Sequence, residues 1–234
     1  MIFGHPRSGT KLLAKIHQSH GYHNFGEFFN AFSSDIVEDT IPYAVRMSRE
    51  TQTEQVRLRK ELGSYYDDYK HSIIVRDRYE LFKKYDSVSP TIVTVWEATF
   101  QVAPETFELT KDRFVLCTRR ANRFEQLLSR CVTKEHLNHD GEIESTPITI
   151  AIPTFEYHFR TLTHVETLQD SIVKMGCGSI IDFDELISGT ADLGFEYTVE
   201  TNDQHSNLEN LILNLDEIKQ KFNSLVLKYN IDWT

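Results

Sequence analysis

The chain has 234 residues, of which 40% are apolar and 26% are charged, so it is long enough for one globular domain with a large core. Its net charge of −10 disfavours general binding to nucleic acid or to anionic membranes, since both normally require a basic surface. Three widely spaced cysteines without a C-x-x-C pair favour reduced core residues over a disulfide frame or a metal site. No run approaches the roughly 18 apolar residues of a membrane span. The first strand pattern begins at Met1, so we expect no secretory signal and a cytoplasmic protein.

The first sixteen residues have the order of a strand, a glycine-bounded loop and a helix. A short apolar run at residues 1–3 leads into Gly4-His-Pro-Arg-Ser-Gly-Thr-Lys11, and a helical pattern then continues to about Gly21. Loop amides and the first N–H groups of such a helix converge on one point, where the helix dipole adds positive potential. Two cations and two hydroxyl groups lie in the same stretch: Arg7, Lys11, Ser8 and Thr10. The segment therefore predicts a binding site for a phosphate-bearing ligand.

The rest of the chain alternates strand and helix patterns. Strands are predicted at 91–96, 114–118 and 179–183, and helices after Arg120, at 155–175 and at about 206–229, where Ser206 and Glu209 form a capping box. The polar stretch at about 43–86 predicts a helical insertion, and 138–153 predicts a loop. This alternation predicts a single α/β domain over 1–234, with three α/β/α layers around a central parallel sheet of about four or five strands.

The opening loop is close to the Walker A motif, G-x-x-x-x-G-K-[ST], but differs from it at one point. Gly4 and Gly9 have the required separation, whereas Thr10 and Lys11 reverse the order of lysine and hydroxyl. In a nucleotide triphosphatase the lysine contacts the β- and γ-phosphates and the adjacent hydroxyl binds magnesium. The reversed order disfavours that chemistry, and a P-loop kinase or triphosphatase stays the alternative.

A second cationic position follows the strand at 114–118. That strand ends in Arg119 and Arg120, and the next helix carries Gln126 and Ser129 off its apolar stripe, towards the edge of the sheet. Guanidinium groups form charge-assisted hydrogen bonds with phosphate, to which a serine hydroxyl adds a neutral donor. The pattern indicates a second phosphate site, in which either arginine can be the ligand.

Taken together, the segment from Gly4 to Leu13 and the strand that ends in arginine resemble the sulfotransferases that use 3′-phosphoadenylyl sulfate (PAPS). The resemblance implies a fold related to the P-loop nucleotide kinases, PAPS as donor and no metal. It also implies that the 3′-phosphate is held by Arg119 or Arg120 with Ser129, while Arg7 and Lys11 neutralise the leaving phosphate. The 5′-phosphosulfate loop then consists of His5, Pro6, Arg7, Ser8, Gly9, Thr10 and Lys11.

The general base is predicted from Phe25-Gly-Glu-Phe-Phe29, which is similar to a segment of bacterial sulfotransferases that act on sugars. There Glu27 would accept the proton of the acceptor hydroxyl, and enclosure by aromatic rings would make it a better base. Other possible bases are His5, His20, His23 and His158. The resemblance implies a carbohydrate or other small-molecule acceptor and leaves the oligomeric state open. A domain that binds the nucleotide without catalysis is a further alternative.

Overall fold

The computed structural model of this chain describes residues 1–24, 79, 82, 91–95, 107–108, 110–111, 113–136, 147–199 and 208–233. Glu27 lies outside the described residues, as does the predicted insertion at 43–86 apart from Tyr79 and Phe82. The chain divides into two compact units. One consists of Met1–Phe3 with Lys11–Val115, and the other of Gly4–Thr10 with Leu116–Thr234.

Four short strands form one parallel sheet: β1 (Ile2–Gly4), β4 (Thr94–Val95), β5 (Val115–Arg119) and β6 (Gly178–Asp182). Their order across the sheet is β4-β1-β5-β6, and β1 pairs with β4 so that Ile2 lies opposite Thr94. A second parallel pair joins β2 (His23–Asn24) to β3 (Thr91–Ile92). The predicted α/β class is confirmed, and the parallel sheet, predicted to have about four or five strands, has four within the described residues.

Five α-helices occur within the described residues: α1 (Thr10–Ser19), α2 (Arg123–His136), α3 (Ile152–Lys174), α4 (Phe183–Ser188) and α5 (Leu215–Tyr229). Helix α3 begins three residues before the predicted start, with Pro153 in its first turn, so the loop prediction was wrong for 152 and 153. Proline is compatible with this position because the first N–H groups of a helix have no intrahelical acceptor. The predicted stop is confirmed, since Gly176 follows α3 with a φ of 73°.

The C-terminal helix starts later than the sequence predicts. Instead of one helix from about 206, a 3₁₀ turn at Leu208–Leu211 precedes α5, which begins at Leu215. The interruption has a tertiary cause: Ile148 pairs with Ile212, its N–H donating to Leu211 and its carbonyl accepting from Leu213. These bonds take backbone groups that a continuous helix would use.

The core of the second unit lies between α2, α3 and α5. The apolar stripe predicted on α2 is confirmed, since Leu127, Leu128 and Cys131 are buried and Phe124 packs against them. The buried side chains from the three helices include Leu127, Leu128, Cys131, Phe155, Phe159, Leu162, Ile218 and Leu225. All three cysteines are free thiols, and burial raises the pKa of Cys117 to about 12. This core fixes α2, whose opposite face contacts the loop after β1.

The loop of residues 4–10 follows the carboxyl end of β1. In parallel sheets, ligands commonly bind beyond the carboxyl ends of the strands.

Candidate anion-binding site

The backbone of the loop alternates in the sign of φ. Arg7 has a φ of 70° and Gly9 a φ of 90°, whereas Ser8 and Thr10 have negative values. Alternation of left- and right-handed residues turns successive N–H groups towards one side and forms a concave anion-binding nest. Within the described part of the chain, the N–H groups of Arg7, Gly9 and Thr10 donate to no other protein group. They are therefore available to an anion.

Side chains hold the loop from the other side. The Ser8 hydroxyl is buried and donates to the carbonyl of His5 at 2.7 Å, so the Thr118 hydroxyl, also 2.7 Å away, must donate to Ser8. The Ser8 N–H also donates to that carbonyl, at 3.2 Å. The hydroxyl that the sequence predicts as a ligand donor is thus engaged in holding the loop.

Two glycines allow close packing around the loop. A Cβ atom on Gly4 would lie 2.2 Å from the hydroxyl oxygen of Thr118, and one on Gly9 would lie 2.6 Å from the ring of Phe183. Both distances are far below van der Waals contact, and Gly9 also has a positive φ. Glycine is therefore required at both positions for steric reasons.

Arginine side chains gather beside the nest. The Nε of Arg7 donates to the Oγ of Ser129 at 3.0 Å, which joins the loop to α2. Burial lowers the pKa of Arg7, and the positive charges of Arg120 and Arg130 lower it further, so both guanidinium groups lie close enough to repel that of Arg7. Such a cluster favours an anion as its ligand.

Arg119 makes contacts that differ from those of this cluster. Its Nε donates to Gln169 at 2.8 Å, and its Nη2 donates to the carbonyl of Glu166 at 2.8 Å and to the carboxylate of Asp170 at 2.6 Å. All three acceptors belong to α3. The side chain of Arg119 therefore connects β5 to α3.

Arg120 lies on the side of the loop. Its Nη2 pairs with the carboxylate of Glu125 at 2.8 Å, and its guanidinium lies 5.1 Å from the centre of the Phe183 ring. The side chain of Glu125 is one-third exposed. Of the two adjacent arginines, Arg120 is the one that contributes charge to the cluster around Arg7.

The other predicted residues have separate environments. His5 is buried, which lowers its pKa to about 3 and keeps the ring neutral at physiological pH. His158 is buried on α3, and His20 is exposed, with its Nδ1 2.9 Å from the carbonyl of Ile16. Lys11 is exposed directly after Thr10 on α1. Glu27 and the side chain of His23 lie outside the described residues.

The sequence prediction did not include Arg130, and it placed Gln126 near the sheet edge without a role. Gln126, Ser129 and Arg130 are at positions i, i+3 and i+4 of α2, so they share one face of the helix. Gln126 donates to the carbonyl of Pro6 at 3.3 Å, and Ser129 accepts from Arg7. In the sequence, these three polar residues recur at helical spacing opposite the apolar stripe of α2. That spacing is the signal from which the contact face of the helix could have been predicted.

A scan against models of protein families and a search of the curated proteins both gave no match for this chain. The part of the chain that the structure describes contains no group of three or more His, Cys, Asp or Glu side chains arranged to hold a metal ion. No helix in that part is long and apolar enough to cross a membrane. A conclusion about function therefore depends on the loop and the arginine cluster.

Proposed function

We propose that this protein is a PAPS-dependent sulfotransferase that moves a sulfuryl group to an acceptor hydroxyl. The observation that carries the proposal is the gathering of Arg7, Arg120 and Arg130 beside a backbone nest, in a chain of net charge −10. The positive charges of Arg120 and Arg130 repel that of Arg7, so their placement together in an acidic protein favours an anionic ligand of high charge. PAPS carries anionic groups at both its 5′ and its 3′ position, which suits a site with two cationic parts.

The contacts within the site support the following division of roles. The N–H groups of Arg7, Gly9 and Thr10 suit the 5′-phosphosulfate, as donors at helix N-termini and nests commonly do for phosphates. Arg120 is the better candidate for the 3′-phosphate, because Arg119 is occupied by acceptors on α3. The Arg7–Ser129 bond makes the two parts continuous. A three-layer arrangement of the P-loop nucleotide-kinase type belongs to the same proposal.

The donor supplies an electrophilic sulfur atom bonded to an oxygen of the 5′-phosphate. In the proposed transfer, the acceptor oxygen bonds to sulfur while the bond between sulfur and the phosphate oxygen breaks. Arg7 and Lys11 stabilise the negative charge left on the phosphate, and Glu27 accepts the proton of the acceptor hydroxyl. The acceptor is a small molecule, with a carbohydrate hydroxyl as the preferred class.

Calorimetry with 3′-phosphoadenosine 5′-phosphate (PAP) tests the donor site. Wild-type protein should bind PAP without magnesium, and Arg7→Ala should abolish binding. Arg160→Ala is a matched control, because Arg160 is exposed on α3, where its Nε donates to the backbone carbonyl of Glu156. Binding of PAP that survives Arg7→Ala would refute the site. Magnesium-dependent binding of ATP in place of PAP would favour the kinase or triphosphatase alternative.

Catalysis is tested separately, by transfer of radiolabelled sulfate from PAPS to a panel of sugars and small alcohols. Glu27→Gln should still bind PAP but lose transfer. Transfer at the wild-type rate would remove Glu27 from the mechanism. PAP binding with no transfer to any acceptor would favour the non-catalytic binding domain.

A further inference from the structure

The carbonyl of Pro6 has two side-chain donors behind the loop. The Nδ1 of His5 lies 2.9 Å from it, and the Nε2 of Gln126 lies 3.3 Å from it. The Nε2 of Gln126 also lies 3.3 Å from the Nδ1 of His5. A carbonyl oxygen only accepts, so the shorter contact of 2.9 Å assigns the ring proton of His5 to Nδ1, and the NH₂ group of Gln126 then donates to the Pro6 oxygen and not to Nδ1. Both side chains are 1% exposed, so water does not compete for these bonds.

This arrangement fixes the orientation of the next N–H group. The peptide between Pro6 and Arg7 is trans, as are all the described peptides, and in a planar trans peptide the C=O and N–H point in opposite directions. A carbonyl held towards His5 and Gln126 therefore turns the N–H of Arg7 away from them. Arg7 also has a φ of 70°, which residues other than glycine rarely adopt, so the local sequence alone does not favour this conformation.

We propose that Gln126 and His5 are positioning residues that hold the Pro6–Arg7 peptide with the Arg7 N–H turned into the anion nest. The proposal rests on the proposed function, because it concerns the part of the site assigned to the 5′-phosphosulfate. Neither side chain touches the ligand. Each acts through the backbone of the loop.

Stability alone does not explain this pair. The Oε1 of Gln126 and the Nε2 of His5 are buried and have no hydrogen-bond partner among the described residues. Buried polar atoms without partners are destabilising, and apolar side chains of similar shape would avoid that penalty. The two residues give the loop a defined peptide orientation, which apolar side chains do not provide.

Gln126→Met tests the proposal, because methionine has a similar length and volume but no N–H group. PAP and adenosine 3′-phosphate are the probes, since only PAP has a 5′-phosphate. We expect PAP to bind about tenfold to a hundredfold more weakly, as for the loss of one hydrogen bond to a charged group. Adenosine 3′-phosphate should bind as it does to wild type. The free energy of unfolding in urea should not fall, because the variant also removes the unpartnered Oε1.

His5 provides a rescue experiment. His5→Leu removes the donor to Pro6 and should weaken PAP binding, whereas His5→Asn should recover most of the loss. The Nδ2 of asparagine is as many bonds from Cα as the Nδ1 of histidine, so it can donate to the same carbonyl. Equal PAP affinities of His5→Leu and His5→Asn would overturn the role given to the hydrogen bond.

Three further outcomes separate this inference from the proposed function. Equal loss of both ligands in Gln126→Met would show a general structural role and overturn the inference. Unchanged PAP affinity would also overturn it while leaving the sulfotransferase proposal intact. If wild type does not bind PAP, inorganic pyrophosphate replaces it as the probe of the loop. Equal pyrophosphate affinity in wild type and Gln126→Met, or no binding by either, then overturns the inference.

Discussion

The Nε of Arg7 donates a hydrogen bond of 3.0 Å to the Oγ of Ser129, across 122 positions of the chain. From sequence, the two residues belong to separate parts of the ligand site, one for the 5′ group and one for the 3′-phosphate. The bond brings those parts together at α2. Because it uses Nε, it fixes the plane of the guanidinium, and the terminal nitrogens can still form a bidentate contact with an anion.

Ser129→Ala should weaken PAP binding by about threefold to tenfold, the usual effect of losing one neutral hydrogen-bond partner. The cause is a less ordered Arg7 side chain, together with the loss of a hydroxyl donor. Calorimetry measures the change, with Ser171→Ala as the control, since the Ser171 hydroxyl bonds to the backbone of its own exposed helix face. Equal affinities of Ser129→Ala and wild type would contradict the role of this bond.

The two adjacent arginines should have different mutant phenotypes. Arg120→Ala should lower PAP affinity by more than tenfold, because a charged hydrogen-bond donor is lost. Arg119→Ala should chiefly lower the free energy of unfolding, by about 2 kcal/mol, because Arg119 donates to three acceptors on α3. Calorimetry and urea unfolding on both variants check this. The opposite pattern would assign the 3′-phosphate to Arg119.

Substitution of Glu125 should raise the affinity for PAP, whereas substitution of Ser129 or Arg120 should lower it. Its carboxylate pairs with Arg120 at 2.8 Å, so an anion at Arg120 meets a negative charge. Glu125→Gln should therefore raise PAP affinity about fivefold, from the loss of roughly 1 kcal/mol of repulsion. The gain should shrink as salt is added. Glu209→Gln is the matched control, since it removes the same charge from the exposed pair with Lys219. Weaker binding to Glu125→Gln would instead show that Glu125 orders Arg120 for the ligand.

Local sequence patterns predicted much of the fold, but they did not predict which of the adjacent residues Arg119 and Arg120 faces the loop. The apolar stripe of α2 and the strand predicted at 114–118 depend on short-range periodicity. The stripe was correct, and the strand was correct to within one residue, since it runs from Val115 to Arg119. Which of Arg119 and Arg120 faces the loop depends on strand register, because successive residues of a strand point to opposite sides. The packing of α3 sets that register, and α3 is more than 30 residues further along the chain.

Two other features also have tertiary causes. The interruption before α5 arises from pairing between Ile148 and Ile212, so the capping pattern near 206 was not sufficient to place the start of the helix. The positive φ of Arg7 occurs where the adjacent Pro6 carbonyl is held by Gln126 of α2. Propensity does not predict such a conformation for arginine, since it is unfavourable in isolation.

Substitutions at Gly9 and Gly21 distinguish two effects of replacing glycine, backbone strain and steric clash. Both have positive φ, 90° and 85°, but a Cβ on Gly9 would lie 2.6 Å from Phe183 whereas one on Gly21 meets nothing within 4 Å. Gly21→Ala should lower the free energy of unfolding by about 1 kcal/mol through backbone strain alone. Gly9→Ala should lower it by at least about 2 kcal/mol more, because the Phe183 ring must move. Equal losses in urea unfolding would show that the ring moves without cost.

His5 should make the stability of the fold depend on pH. Its pKa falls from 6.5 in the unfolded chain to about 3 in the folded protein, chiefly because burial disfavours the charged ring. Between these values the unfolded chain binds a proton that the folded protein does not. The stabilising contribution is therefore complete above pH 6.5 and is lost as the pH falls towards 3, by up to about 1.4 kcal/mol per pH unit.

Comparison with His5→Asn isolates this effect, because asparagine does not titrate while the carboxylates and His17 are present in both proteins. The free energy of unfolding of wild type, minus that of His5→Asn, should fall by about 2 kcal/mol between pH 7 and pH 5. Urea unfolding at the two pH values measures it. A difference that stays constant would mean that the imidazole of His5 binds its proton equally well in the folded protein and in the unfolded chain, so that burial does not lower its pKa.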